Sequence, residues 1–257
     1  MFTQARIADS IGTIALDQPA KRNALSKPLI DEAMAALEQF RGAGARAVVL
    51  RSAAGTAVWS SGHDIREIHE GQDPLRYGDS VEKLLRAVRE FPAPVIAMVQ
   101  GSVWGAATNL VLNCDLVIGD ATCSFANTAV NLGLPYNAAG LLQFTRRLPL
   151  HVVKEMFYTA RPIAAEDALK WGILNHLVPA EQLEQSTYGI AAEIASKAPL
   201  AVSVVKQQLR VLADAEPLTP SVFEYVQQLR QSVCQSRDFA EGIRAFLEKR
   251  KPVFTGE

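Results

Sequence analysis

Val95-Ile96-Ala97-Met98-Val99-Gln100-Gly101-Ser102-Val103-Trp104-Gly105-Ala106-Ala107 is the stretch on which the fold turns. Its first five residues are apolar, follow Pro92 and Pro94, and read as a short buried strand. Glycines 101 and 105 then lead into a helical segment over 105–113, and 116–118 reads as a strand again. Strand, glycine turn, helix and strand in close succession define an α/β layer structure.

Upstream, residues 2–7 and 13–16 read as two strands around Asp9-Ser10-Ile11-Gly12, a hairpin signal. Ser26 and Pro28 mark a helix start, and Ile30, Met34, Leu37 and Phe40 recur at helical spacing until Gly42 and Gly44. A buried strand over 47–50, a polar loop over 51–62 and a helix over 80–91 follow. Downstream of residue 150 the pattern becomes helical, over 152–159, 164–171, 179–197, 200–213, 220–236 and 238–249, with 173–178 resembling a strand. The stripes Val222, Val226, Leu229, Val233 and Ile243, Phe246, Leu247 need a covering surface, from the same chain or from a neighbouring subunit.

The bulk numbers narrow the function classes. The 257 residues are 49% hydrophobic, enough for a substantial core. With 26 basic and 27 acidic residues, no general nucleic-acid or anionic-membrane surface is indicated. Cys114, Cys123 and Cys234 show no paired spacing, so neither a disulfide framework nor a metal site is expected. The start, Met1 to Ser10, lacks the basic and apolar regions of a signal peptide, and no apolar run approaches the roughly 20 residues of a membrane span. The expectation is a soluble cytoplasmic protein.

Three segments combine with the opening stretch: Lys21-Arg22-Asn23-Ala24-Leu25-Ser26, Trp59-Ser60-Ser61-Gly62-His63-Asp64-Ile65, and Val130-Asn131-Leu132-Gly133-Leu134-Pro135-Tyr136-Asn137. In this order they resemble the crotonase (enoyl-CoA hydratase/isomerase) superfamily over essentially the whole chain. Within it they are most similar to the branch that decarboxylates methylmalonyl-CoA, a likeness that Phe246 to Pro252 shares. The resemblance implies a ββα spiral core over 1–195. It also implies a helical region over 196–257 that builds homotrimers, often paired into hexamers.

The resemblance places two oxyanion donors, the backbone N–H groups of His63 and Ala106. Both follow a glycine at a strand-to-helix connection, where the first N–H groups lack internal acceptors and carry the positive end of the helix dipole. Two such donors on a thioester oxygen favour the enolate, and each is worth on the order of 10²–10³ in rate. Asp64 reads as a helix cap, and the His63 imidazole as a structural or pocket-lining group. Asn131 and Asn137 read as turn or backbone-capping residues.

Hydration of an enoyl thioester needs two acid/base groups. The superfamily's hydratases carry glutamates where this chain has Asn109 and Ala129, and neither replacement transfers protons. A malonyl-type thioester needs no base, because its departing carboxylate supplies the electron pair. The implied reaction is therefore decarboxylation of malonyl- or methylmalonyl-CoA, with Tyr136 orienting the substrate carboxylate and Thr128 as a second candidate. The decarboxylating branch has a glutamate at the Asn109 position, where asparagine can hydrogen-bond to substrate or serve as a polar helix residue. Another acyl-CoA reaction, or a non-catalytic CoA-binding relative, remains open at this stage. CoA enters with the substrate, with no other cofactor expected. Its implied contacts are Lys21, Arg22, Ala24, Ser61, His63, Asp64 and Ile65, with Phe246 for adenine and Lys249 for a phosphate, one helical turn apart and reaching across a subunit boundary.

Overall fold

The computed structural model describes residues 1–68, 73–213 and 219–255; the side chains of Val226, Leu229, Arg230 and Ser232 also lie outside the description, and with them two of the four positions of the first stripe. The expected hairpin is present as β1 (Thr3–Ala8) and β2 (Ile11–Leu16). Helix α1 (Lys27–Gly42) buries Leu29, Ile30, Ala33, Ala36, Leu37 and Phe40, the face its apolar spacing dictates. Ser26 occupies the cap position without a side-chain bond. The Lys27 N–H instead donates to the Glu67 carboxylate at 2.9 and 3.1 Å, tying the start of α1 to a segment 40 residues away.

Three ββα turns follow. The first is β3 (Ala47–Ser52), β4 (Val58–Ser60) and α2 (Ser80–Glu90); the second is β5 (Val95–Val99), β6 (Ser102–Trp104) and α3 (Ala106–Asn113). The third is β7 (Leu116–Gly119), β8 (Ser124–Ala126) and α4 (Ala138–Arg147). After them come α5 (Leu150–Thr159), β9 (Ile163–Ala164), α6 (Ala165–Lys170), β10 (His176–Leu177), α7 (Leu183–Ala195), α8 (Pro199–Ala213), α9 (Pro220–Cys234) and α10 (Arg237–Leu247).

The strands separate into a six-stranded sheet in the order β1-β2-β3-β5-β7-β10 and a four-stranded sheet in the order β4-β6-β8-β9. All pairings are parallel except β1 with β2 and β8 with β9. Each turn thus lays one strand in each sheet before its helix returns, and the ββα spiral is the architecture observed. β5 is buried along its whole length, as a parallel strand covered on both faces must be. Trp59 locks the sheets together: its ring is fully buried and its Nε1–H donates to the Met98 carbonyl at 2.8 Å. Such burial is worth about 1.5–3 kcal/mol for a large apolar side chain.

The short strands of the second sheet are absent from the sequence expectation, β4 lying within the loop expected over 51–62. α4 has no counterpart in that expectation either, and the strand expected over 173–178 is reduced to the two residues of β10. Among the described residues no single helix is long and apolar enough to cross a membrane.

Candidate active site

The site lies where β4 and β6 end. Their parallel pairing, Val58 with Ser102 and Ser60 with Val103, makes the loops that leave them neighbours. Gly62 sits in that junction with φ of +83°, and a Cβ on it would lie 2.5 Å from the Trp104 carbonyl oxygen and 3.0 Å from the Ala106 nitrogen. Only glycine lets the two backbones approach this closely without strain. His63 follows it, and Ala106 opens α3 after Gly105. Neither the His63 N–H nor the Ala106 N–H donates to a protein acceptor among the described residues. Both residues line one small cavity.

The loop carrying His63 is held from several sides. Asn23 is fully buried with φ of +50°; its Nδ2–H donates to the Trp59 carbonyl at 3.0 Å and its Oδ1 accepts the Gln18 N–H at 2.7 Å. The Ser61 N–H donates to the Arg22 carbonyl at 2.9 Å, and the Leu25 N–H to the Gly62 carbonyl at 2.7 Å. Asp64 caps a short 3-10 turn (Ile65–Glu67), accepting the Arg66 N–H and the Arg66 guanidinium. Burial pushes the Asp64 carboxyl up, but the hydrogen bonds from Arg66 outweigh it and hold it below the usual range.

The His63 ring is a brace. Nδ1 lies 3.2 Å from the Asp64 carbonyl oxygen, and Nε2 lies 3.6 Å from Asp79 Oδ1, with both side chains largely enclosed. The Nε2 separation exceeds a hydrogen bond, so the attraction is that of an ion pair once the ring is protonated. Burial lowers the His63 pKa; the Asp79 carboxylate more than offsets this, and the net shift is upward. Both nitrogens thus lie nearest protein groups, Nδ1 the Asp64 carbonyl and Nε2 the Asp79 carboxylate.

The cavity has a volume of about 60 Å³ and an apolar wall of Ile65, Ile68, Leu75, Ala129, Leu132 and Leu134. Thr128 and Tyr136 also line it, and no carboxylate does so among the described residues. Tyr136 is buried, with edge-on contacts to Phe144 and Phe157 at centroid separations of 5.9 and 5.4 Å. Behind the cavity, Ile68, Leu132 and Leu134 pack against Phe239 and Ile243 of α10. The C-terminal helix therefore backs the wall.

His63, Ser61, Ile65 and Thr128 are shared with a groove of about 530 Å³. All nine residues expected at CoA line it: Lys21, Arg22, Ala24, Ser61, His63, Asp64, Ile65, Phe246 and Lys249. Two details are corrected. Phe246 and Lys249 face Lys21 and Arg22 within one chain, because α10 folds back across the groove mouth, so no subunit boundary separates them here. α10 also ends at Leu247, and Lys249 lies beyond it with φ of +55° instead of continuing the helix. Ala20, Arg66, Trp104 and Leu247 are further lining residues that sequence reasoning did not single out.

Asn109 is not brought to the acyl cavity. It is 1% exposed on α3, and its carbonyl and Oδ1 both accept from Asn113 Nδ2, at 2.8 and 3.0 Å. It faces a separate cavity of about 80 Å³ that it shares with Glu82, Arg86 and Gln143. The substrate contact expected of Asn109 is therefore not seen, and the residue is used in internal packing. Asn137 caps α4, as expected of it, accepting the Gly140 N–H at 2.8 Å. Among the described residues no cluster of His, Cys, Asp or Glu could hold a metal, and burial pushes the Cys114 and Cys123 thiols up to about 12.

Comparison with known proteins agrees with this geometry. A family model described as enoyl-CoA hydratase/isomerase matches residues 6–257. Methylmalonyl-CoA decarboxylase of Escherichia coli K12 is 45% identical over 249 residues, 96% of this chain and 95% of the relative. Human mitochondrial enoyl-CoA hydratase domain-containing protein 3 is 36% identical, over 99% of this chain and 84% of its own length. A solved structure of methylmalonyl-CoA decarboxylase in complex with 2-nitronate-propionyl-CoA superposes with a TM-score of 0.97 at 43% identity, covering 100% of this chain and 99% of that one.

Proposed function

The chain belongs to the enoyl-CoA hydratase/isomerase family, and from that premise we propose that it decarboxylates a malonyl-type acyl-CoA, methylmalonyl-CoA to propionyl-CoA in the first place. One observation carries the reading: His63 and Ala106, whose backbone N–H groups meet no acceptor among the described residues, together line a small, mostly apolar cavity whose described lining holds no carboxylate. That suits a substrate which is itself an anion and brings its own electron pair.

In the proposed reaction the thioester oxygen accepts both N–H groups. The C–COO⁻ bond breaks, CO2 leaves, and its electron pair moves into the thioester as an enolate, whose α-carbon then takes a proton. The donors bind the developing oxyanion more strongly than the neutral carbonyl, which lowers the barrier. Tyr136 and Thr128 orient the leaving carboxylate, so that the breaking bond stands perpendicular to the thioester plane. The apolar wall strips water from that carboxylate, whose charge disperses as CO2 forms. The nucleotide end of CoA lies in the groove, with Lys21, Arg22 and Lys249 toward its phosphates and Phe246 toward adenine. Ala129 and the inward-turned Asn109 leave the site without the acid/base pair that hydration needs.

We also propose that residues 196–257 join copies of the chain into a homotrimer or a pair of trimers. The support is α8 and α9, where Leu200, Leu209, Leu212 and Tyr225 are each more than 60% exposed, a larger apolar face than a monomer ordinarily leaves in water. Light scattering after size exclusion reads the assembly directly.

The deciding experiment for the reaction is an acyl-CoA panel followed by mass spectrometry and CO2 detection. Loss of CO2 from methylmalonyl- or malonyl-CoA is expected. Turnover of crotonyl-CoA with no CO2 from either malonyl thioester would sink the reading.

A further inference from the structure

Tyr136 leads directly into Asn137, and Asn137 is the meeting point of three segments. It is 6% exposed. Its Oδ1 accepts the Gly140 N–H at 2.8 Å, which fixes the side-chain amide so that Nδ2 faces the other way. Nδ2 donates to the Leu75 carbonyl at 2.9 Å and to Glu82 Oε1 at 2.7 Å. Leu75 is a wall residue of the acyl cavity, and Glu82 stands in the first turn of α2.

Glu82 is a costly residue at this place. It is 7% exposed, and burial pushes its carboxyl up even though the Asn137 bond works in the opposite direction. An apolar side chain would pack there at less expense, so the group is explained by the bond it accepts. Gly140 completes the arrangement: a Cβ on it would collide with the Tyr136 ring and lie 2.6 Å from Asn137 Oδ1. The ring is thus pressed between the first turn of α4 and the Phe144–Phe157 pair. The placement of that first turn is in turn set by Asn137.

We infer that Glu82, acting through Asn137, is a positioning residue that holds Tyr136 and the Leu75 wall at the acyl cavity. The inference rests on the carboxylate-orienting reading of Tyr136 given above. Glu82 does not line the acyl cavity; it accepts from Asn137 Nδ2 and, with the Gly140 N–H on Oδ1, holds the Asn137 amide in place at the start of α4, against which the tyrosine ring lies. Small misplacements of an orienting group are costly in rate, because the reacting bond must be held in one geometry.

The test is a double-mutant cycle on methylmalonyl-CoA. Glu82→Met removes the acceptor at similar volume and is expected to lower kcat by about tenfold with KM within about twofold. In a Tyr136→Phe background the same change is expected to cost less than about twofold, since no hydroxyl remains to be placed. Glu82→Gln keeps an Oε1 acceptor and is expected to restore most of kcat. Asn137→Asp keeps the α4 cap but turns an acceptor toward Glu82, and is expected to match Glu82→Met. It serves as an independent variant where Met is not tolerated in the fold. Equal losses from Glu82→Met in both backgrounds would overturn the inference, as would wild-type kcat in Glu82→Met or Asn137→Asp. Wild-type kcat in Tyr136→Phe alone would remove the orienting role of Tyr136 and this inference with it, a pattern distinct from additive losses.

Discussion

Replacing Ala106 with proline removes one hydrogen of the oxyanion pair and puts a ring methylene in its place. Ala106 is the first residue of α3, where the N–H has no partner inside the helix, and proline is well accepted at that position. Gly105 before it has φ of +55° and ψ of −122°, away from the α region that a following proline forbids. The fold should therefore survive while one donor disappears. Loss of one preorganised donor costs on the order of 10²–10³ in kcat, about 2.7–4 kcal/mol. Because the bond strengthens as the enolate forms, its loss should lower kcat, while the ring methylene that replaces the hydrogen should raise KM for the CoA thioester as well. The assay is CO2 release from methylmalonyl-CoA under saturation, paired with a thermal melt that reports whether α3 is intact. Ala106→Gly, which retains the N–H, is the comparator and should lose less than about tenfold. A folded proline variant with kcat within about threefold of the parent would refute the oxyanion role of Ala106.

Asp79→Asn keeps a cap for α2 but removes the charge facing His63. The His63 pKa is raised on folding, so the stability from this pair is fully present below an unfolded pKa of about 6.5 and fades as pH rises through the folded value. Melting temperatures of parent and variant should accordingly differ at pH 6 and converge on the alkaline side; a constant gap across pH would show that the charge plays no part. Converting Lys21 and Lys249 to alanine should raise KM several-fold, by about 0.5–1 kcal/mol per lysine at most, and flatten its dependence on ionic strength while leaving kcat nearly constant. Phe144 is fully buried between Tyr136 and Phe157, so Phe144→Ala should cost about 3–5 kcal/mol in urea unfolding and lower kcat as well.

The main sheet was largely legible in the sequence because its strands are apolar runs bounded by turn residues, as in Val95–Val99 between two prolines and Gly101. The second sheet was not. β4, β6 and β8 have three residues each and β9 has two, too short for any period to show. α4 was hidden by Gly140, which lowers helical preference yet is required by the Tyr136 ring. The groove lined by Lys21, Arg22, Ala24 and Ser61 to Ile65 was legible as a place where short motifs meet, since both segments are carried on neighbouring loops. The acyl wall was not, because Ile68, Leu75 and Leu134 come from separated segments with no shared spacing. Asn109 illustrates the opposite failure. Its place on α3 was legible, but the packing of that helix, which leaves Asn109 1% exposed and facing a separate cavity, was not.

The return of α10 across the site has a bearing on how binding would be felt by the chain. Phe239 and Ile243 back the acyl wall while Phe246 and Leu247 border the groove, opposite Lys21 and Arg22 near the other end of the sequence. A chain in which α10 had lifted away would retain its main sheet and its oxyanion glycines, yet hold neither a closed wall nor a complete groove. Occupancy and helix docking are therefore two readings of one equilibrium: ligand drawn to the docked form shifts the balance toward it in proportion to its concentration. Amide exchange along α10 would slow as acyl-CoA is added, and the helix furthest along the chain would act as the gauge of what is bound between its first loops.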